Sequence, residues 1–481
     1  YRCALEKPKI ILNKFRIYIV LIYNTSILEE LSMRKPIKSV IFLLIFCLTL
    51  SEFSALKASA LWNPPTTPTV NAVYLINTDV NTVIYQKNQN EKVYPASITK
   101  LMTAILVCEK FKDKLDTKVT VEPEDLAELT PYDSKVPLKA GEELTIEQLL
   151  NCILIKSGDD AANTLARVTS GSVEDFVEQM NKKAKEIGLK NTHYVNPHGL
   201  HDPDHYTTAV DVYILAKYAM TIPKLKSIVA TQTYKLPPTN IVKEERILRN
   251  TNYLIMENMT KSYYKYVKGI KTGSTTPAGK CLVSYAEKDG KTYYCVAMGG
   301  EMKDGVNTAF SETKALYKWV FGNFDIKPVV KTTDTAAQVS VELAANKTKL
   351  LLKPETQLNA LVPNSFKTSD LKIDVHVPSK VTAPIKKGDV IGSEDVMLIT
   401  ADGKLQKLGT VKLVASENVD RSMSLYILSI ITKFFNSIWF KIVAVLLVIL
   451  LIVYIILSVH FNKRKRMLNR RRMKKYKYKR Y

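Results

Sequence analysis

The chain has 481 residues, 46% apolar and 24% charged, a globular balance that excludes a disordered or collagen-like protein. Its formal charge of +23 suggests nucleic acid until the charge is located. Residues 462–481 hold twelve Lys or Arg and no acid, residues 1–60 add +5, and only about +6 is left for 61–461, so no nucleic-acid partner is expected.

Met33-Arg34-Lys35-Pro36-Ile37-Lys38 is followed by an apolar stretch from Val40 to Leu50 and by Ala58-Ser59-Ala60. A basic start, an apolar run and a small-x-small site make residues 33–60 a signal peptide, cleaved after Ala60. Residues 1–32 precede it and residue 1 is Tyr, so translation is expected to begin at Met33, with 1–32 an extension of the gene model. A second membrane segment over Phe15–Ile27 is the weaker alternative, because its apolar core is short and contains Asn24.

Residues 70–86 alternate and are β-branched, with Asp79-Val80-Asn81 as the turn of a hairpin. Helical patterns follow over Ser97–Lys110, Thr145–Lys156, Asp159–Thr169, Val173–Ile187 and Thr208–Met220, the fourth ending at Gly188. Strands are expected over Tyr266–Thr272, Lys280–Ala286 and Thr292–Met298, then a helix over Ser311–Phe321. Strands at both ends of a helical middle predict one antiparallel sheet completed from both termini, an α+β domain over 61–322.

Residues 323–415 alternate Val, Thr, Leu and Lys and read as a small all-β domain with no chemical constellation. Residues 416–441 read as a linker with an apolar segment lying along a membrane. Ile442–Phe461 is twenty residues without charge other than His460; as a helix it spans roughly 30 Å, the thickness of a bilayer core. The basic block at 462–481 then places the tail in the cytoplasm, against anionic lipids, and the body outside. Of the four cysteines after the leader, Cys281 and Cys295 flank a hairpin turn at Asp289-Gly290; they either face each other or, the favoured reading, are small buried residues like Cys108 and Cys152.

Three motifs carry chemistry. Ser97-Ile98-Thr99-Lys100 sets a hydroxyl and an amine one helical turn apart, so the amine can take the proton of a serine nucleophile. Ser157-Gly158-Asp159 and Lys271-Thr272-Gly273 follow in that order, the order found in penicillin-binding proteins and class A β-lactamases. A helix N-terminus would favour negative charge on Ser97 Oγ, and burial or a positive neighbour such as Lys271 would keep Lys100 neutral. Lys271 and the Thr272 hydroxyl suit a substrate carboxylate, and Gly273 leaves room for substrate along the strand.

With Asn196-Pro197-His198-Gly199-Leu200-His201-Asp202, His205-Tyr206-Thr207-Thr208 and Gly269-Ile270 before the Lys-Thr-Gly, the chain resembles the serine D-alanyl-D-alanine carboxypeptidases, the low-molecular-weight, penicillin-binding-protein-5-like family. The resemblance runs from about Pro65 to Phe321 and extends to the β-domain and C-terminal anchor. It implies a transpeptidase-like catalytic fold, peptidoglycan stem peptides as substrate and β-lactams as covalent inhibitors. It also implies an oxyanion hole from the backbone N–H groups of Ser97 and Ser274, and Ser157 as proton relay. No metal and no cofactor are implied: Pro203 breaks any helical pairing of His201 with His205, and the cluster with His193 and His198 matches the family's own loop.

One position departs from the family pattern, which has Asn where this chain has Asp159. An ionised Asp can only accept hydrogen bonds and would favour the ammonium form of a nearby Lys100. The expected activity is removal of the terminal D-alanine from stem pentapeptides through a Ser97 acyl-enzyme. The alternatives are D,D-endopeptidase action on cross-links, slow β-lactam turnover, or a catalytically weak wall or sporulation scaffold of the same fold.

Overall fold

Asn77 accepts the amides of Asp79 and Val80 through its side chain, closing the hairpin of β1 (Ala72–Asn77) and β2 (Thr82–Lys87). In this computed structural model residues 62–477 are described, apart from 128, 258–260, 401 and 402. The expected leader over 33–60 and the segment 1–32 lie outside the described residues. Three long strands from the far end of the domain join the hairpin: β3 (Val267–Thr275), β4 (Gly279–Lys288) and β5 (Lys291–Gly300). They make one antiparallel sheet in the order β2-β1-β5-β4-β3, completed from both ends of the domain as the sequence implied.

Side chains alternate across a strand, and here both faces are covered. Tyr74, Ile76, Val296 and Met298 enter one core, under helices α1 (Lys100–Phe111), α2 (Ile146–Asn151), α3 (Asp159–Ser170), α4 (Val173–Glu186) and α5 (Ala209–Ala219). Val73, Leu75, Cys295 and Ala297 enter the other, under α6 (Thr308–Asn323). The single helix expected over 145–156 is two pieces, α2 followed by a π-helical turn over Cys152–Lys156. Cys281 stands opposite Gly273 and Cys295 opposite Ser284, so the two thiols do not meet; all four described cysteines are free and buried.

The β-domain contains a six-stranded sheet and a separate pair. The pair is β6 (Phe324–Val330) with β9 (Leu358–Pro363), and Phe324 and Leu361 are buried in the α6 core, which ties the two domains. The sheet combines β7 (Ala337–Glu342), β8 (Lys349–Pro354), β10 (Leu371–His376), β11 (Lys380–Thr382), β12 (Val390–Ile399) and β13 (Leu405–Ala415) in the order β10-β12-β13-β8-β7-β11. Residues after Ala415, expected to be linker, stay on this domain. Val419 is buried and pairs with Ile385, and Arg421 Nε donates to the Ala383 carbonyl at 2.8 Å.

Ser422 then caps α7 (Met423–Asn436), whose Ser429, Thr432, Lys433 and Asn436 form a polar stripe on an otherwise exposed apolar helix. After Ser437, α8 (Ile438–Lys477) is one continuous helix, long and apolar enough to cross a membrane. Expressed as residues 61–422, the chain should be soluble without detergent and keep the melting temperature of the domain pair. Ending it at Ala415 removes Val419 and Arg421, which should cost roughly 2 kcal/mol. Calorimetry should then show a melting temperature lower by roughly 2–4 °C for each kcal/mol lost.

Candidate active site

Ser97 sits in a tight 3-10 turn, Ala96–Thr99, which runs straight into α1 at Lys100. Side chains at i and i+3 eclipse in such a turn, so Lys100 stands over Ser97 more closely than on the regular helix the sequence suggested. Its Nζ donates to Ser97 Oγ at 2.9 Å. Ala96, just before the nucleophile candidate, has φ of +48, a left-handed conformation that a non-glycine residue holds only when its surroundings dictate it.

Those surroundings are the loop from Asn196 to Tyr206. Gly199, at φ +92, lies so close that an added Cβ would fall 1.9 Å from the Ala96 carbonyl oxygen. Thr103 Oγ1 donates to the Pro197 carbonyl at 2.6 Å. His205 Nδ1 accepts the Val195 amide at 3.2 Å, which leaves Nε2 to donate to Thr99 Oγ1 at 2.8 Å. Burial pushes both His198 and His205 down to about 3, so these rings are neutral struts of the loop. Among the described residues no group of three His, Cys, Asp or Glu side chains converges to hold a metal ion.

The π-helical turn ends at Ser157, which has φ of +67 and whose amide bonds back to the Cys152 carbonyl. This turn points Ser157 at the strand β3 and starts α3 two residues later, with Asp159 and Asp160 in its first turn. The two neighbouring acids part company. Asp160 accepts the amides of Val136, Leu138 and Ala161 and holds the preceding loop. Asp159, with only 4% of its side chain exposed, accepts from Lys100 Nζ at 2.5 Å. It is bonded to Lys100 beneath the residues that line the cleft.

Lys271 is buried too, and donates to Ser157 Oγ at 2.9 Å and to the Thr272 carbonyl at 3.0 Å. It therefore faces the Ser157 hydroxyl, and the open cleft meets Thr272 instead. Gly273 lines the cleft and also makes room for the turn that carries Ser97, since a Cβ there would lie 2.6 Å from the Pro95 carbonyl oxygen and 3.3 Å from the Ser97 nitrogen. Ser274 lines the cleft and accepts from Lys280 Nζ at 3.0 Å.

Together Ser97, Ser157, Thr272, Gly273 and Ser274 line one cleft of about 790 Å³. Sequence reasoning missed Thr251, whose hydroxyl is 2.6 Å from that of Thr272 and which doubles the hydroxyl group there. It also missed the His198 carbonyl, which accepts from Lys100 Nζ at 2.8 Å. Neither had a signal of its own: a backbone oxygen is invisible in sequence, and Thr251 lies in an ordinary polar run.

The electrostatics follow from this packing. Burial lowers Lys100 below the usual lysine range, with Asp159 the chief force opposing it. Lys271 falls well below that range, through burial and then the neighbouring Lys100 charge, against the pull of Asp159. A neutral amine has two N–H bonds and one lone pair. The Asp159 carboxyl oxygen and the His198 carbonyl accept from Nζ, so an amine that has lost the proton it points at Ser97 Oγ would turn its lone pair to that hydroxyl. The site thus sets a lysine amine of lowered pKa against a serine held at the mouth of a cleft.

The sequence profile of the D-alanyl-D-alanine carboxypeptidases (peptidase S11) matches residues 62–302. The chain belongs to this family. The C-terminal domain of penicillin-binding protein 5 matches residues 324–421, ending where the structure ends the β-domain. Among relatives, D-alanyl-D-alanine carboxypeptidase DacF of Bacillus subtilis is 32% identical, over 72% of this chain and 85% of that protein. DacC of Escherichia coli is 28% identical, over 74% and 83%. Among solved structures, penicillin-binding protein 5 from Haemophilus influenzae superposes with a TM-score of 0.56 at 27% identity, covering 75% of this chain and 100% of that one. The serine carboxypeptidase class, the α+β fold and the β-domain read from the sequence are thus those of the family.

Acylation by a penicillin should rise with pH as Lys100 loses its proton. Because Asp159 raises the Lys100 pKa against the lowering effect of burial, Asp159→Asn should move this acid limb to lower pH. At neutral pH the variant should acylate about tenfold faster, equivalent to about 1.4 kcal/mol of barrier. Stopped-flow rates across pH 6 to 10 test this; a limb that stays in place would show that Asp159 does not set the charge of Lys100.

Proposed function

We propose that Ser97 is the nucleophile that removes the terminal D-alanine from peptidoglycan stem pentapeptides. Neutral Lys100 takes the hydroxyl proton as Oγ attacks the carbonyl carbon of the penultimate residue. The backbone N–H groups of Ser97 and Ser274 receive the developing oxyanion, where one such donor contributes about 3 kcal/mol. The hydroxyls of Thr272 and Thr251 bind the terminal carboxylate. As the C–N bond breaks, the leaving amine gains a proton from Ser157 Oγ, which Lys271 and then the Lys100 ammonium replenish. Water attacks the resulting ester, Lys100 again accepts a proton, and Ser97 is regenerated.

The observation that carries this reading is the set of three partners around Lys100 Nζ, two of them able only to accept and the third the Ser97 hydroxyl. Ser97 is half-exposed at the cleft while the amine beneath it is fully buried, so bulk solvent does not hydrate the base and a proton comes to it only from a group at the Ser97 oxygen. A β-lactam presents a strained amide beside a carboxylate and would follow the same course as far as the acyl-enzyme. The apolar helix and the basic residues after it support a body outside the cytoplasmic membrane, a cytoplasmic tail and contact of that tail with anionic lipids.

Incubation with labelled penicillin should give one adduct per chain on Ser97, and Ser97→Ala should give none. Chromatography of digested wall material should show free D-alanine released from pentapeptides. Monomers appearing from cross-linked dimers without free D-alanine would instead establish an endopeptidase. Equal rescue of a deletion strain by wild type and Ser97→Ala would overturn the enzymatic role in favour of a scaffold.

A further inference from the structure

The cleft that holds Ser97 continues past Thr272 and Thr251 to a wall made by α6 and the segment before β3. Chemistry sets the direction along it. The carbonyl under attack stands at Ser97, and the terminal carboxylate beyond it is seated at Thr272 and Thr251. Residues upstream of that carbonyl therefore run away from the wall. Only the leaving residue, with whatever its side chain carries, reaches it.

Four lysines line this far end, Lys261, Lys280, Lys314 and Lys318, and no Asp or Glu is among the residues that line the cleft. Among the described residues none of the four is in an ion pair, although lysines elsewhere on the same domain pair readily, as Lys291 does with Asp325 and Lys226 with Glu287. Lys280 donates to the Ser274 hydroxyl, and Lys314 to the Lys261 carbonyl at 2.7 Å. Lys314 and Lys318 are four apart on α6, where like charges destabilise a helix. Lys314 is held below the usual lysine range, by burial and then by Lys318. Unpaired cations in a cleft concentrate a positive field on whatever enters. A D-alanine leaving group gives that field nothing to act on, because its one carboxylate is already in the hydroxyl seat and its side chain is a methyl. The cleft, at about 790 Å³, is of the size that takes a drug-sized molecule, so it has room for a larger leaving group.

We propose that the lysine wall is a leaving-group subsite for an acidic peptide, so that the protein also cuts D-alanyl bonds whose leaving amine belongs to a second stem peptide. The inference rests on the catalytic reading of the same cleft. In such a cross-link the leaving residue still offers its carboxylate to Thr272 and Thr251, while its side chain continues into a peptide with free carboxylates of its own. Ser97 Oγ forms the same ester, the C–N bond to the second peptide breaks, and its amine leaves with the proton delivered through Ser157. Water then hydrolyses the ester to a D-alanine carboxylate and free Ser97. Release of D-alanine from pentapeptides continues beside this reaction.

The full chain in neutral detergent is given three substrates with one acyl part. They are a pentapeptide that loses D-alanine, a cross-linked dimer whose leaving peptide has free side-chain carboxylates, and the same dimer with those carboxylates amidated. The carboxylate of the leaving residue is free in all three. At low salt kcat/KM should favour the acidic dimer over the amidated one by about tenfold, equivalent to about 1.4 kcal/mol. The ratio should shrink as salt is raised. Lys314→Gln with Lys318→Gln should bring it toward unity and leave the pentapeptide rate in place, and Lys291→Gln, away from the cleft, should change neither. No cleavage of the acidic dimer, equal kcat/KM for the two dimers in wild type, or a ratio untouched by both the double variant and salt would overturn the inference. Penicillin acylation is followed in the same preparations. Normal acylation of Ser97 beside any of those results would overturn the lysine subsite alone, whereas no acylation would overturn the catalytic reading and the subsite with it. Should the double variant fail to fold by its melting curve, Lys261→Gln and the salt dependence of wild type decide the matter.

Discussion

The amine of Lys100 has three partners and no access to water. Two of these, Asp159 and the His198 carbonyl, hold the amine from the far side, and this makes the direction in which it meets Ser97 a property of the fold instead of a matter of chance. Each partner arrives on a different piece of chain: the first turn of α3, the loop of residues 196–206, and the 3-10 turn that carries Ser97. Whatever holds those three pieces in place also holds the chemistry. The carboxylate works against burial here, because it favours the charged form of the amine that burial disfavours.

Holding them requires close backbone approach and unusual dihedrals. Ala96 and Ser157 both have positive φ, conformations that cost of order 1–3 kcal/mol each and persist only where the surroundings over-determine them. Gly199 and Gly273 supply the space, one behind the nucleophile turn and one beside it. The sheet supplies the rigidity. β3 is its edge strand, but Ile270 is buried in one core and Val267 in the other, so β3 cannot shift to relieve the contact with Pro95 and Ser97 without disturbing both.

The β-domain is joined to this assembly through Phe324 and Leu361, which complete the α6 core. It contributes no residue to the lining of the cleft. Arg421 Nε on the Ala383 carbonyl and the Ser422 amide on the Leu343 carbonyl hold the end of this domain, and Ser422 itself caps α7. The chain thus passes from a packed domain to an apolar helix within two residues, which leaves little slack between the catalytic body and any membrane that takes up α7 and α8.

The sequence by itself determined whatever depends on residues close along the chain. The spacing of Ser97 and Lys100, the two-residue turn at Asp289-Gly290, the strand and helix periodicities and the length of the apolar C-terminal segment are all local, and each was legible. Tertiary structure alone decided the remainder. Asp159 and Asp160 are identical neighbours in sequence. Successive helix positions point about 100° apart, so one meets an amine and the other three backbone amides, and only the packed position of α3 says which. Gly273 reads as room for substrate, and only the packed structure shows that the Pro95 turn needs its space as well. Thr251 came into the site from a segment with no motif, and the His198 carbonyl as a backbone atom of a motif legible only by its side chains, because segments far apart in sequence converge only when the sheet closes around both ends of the domain.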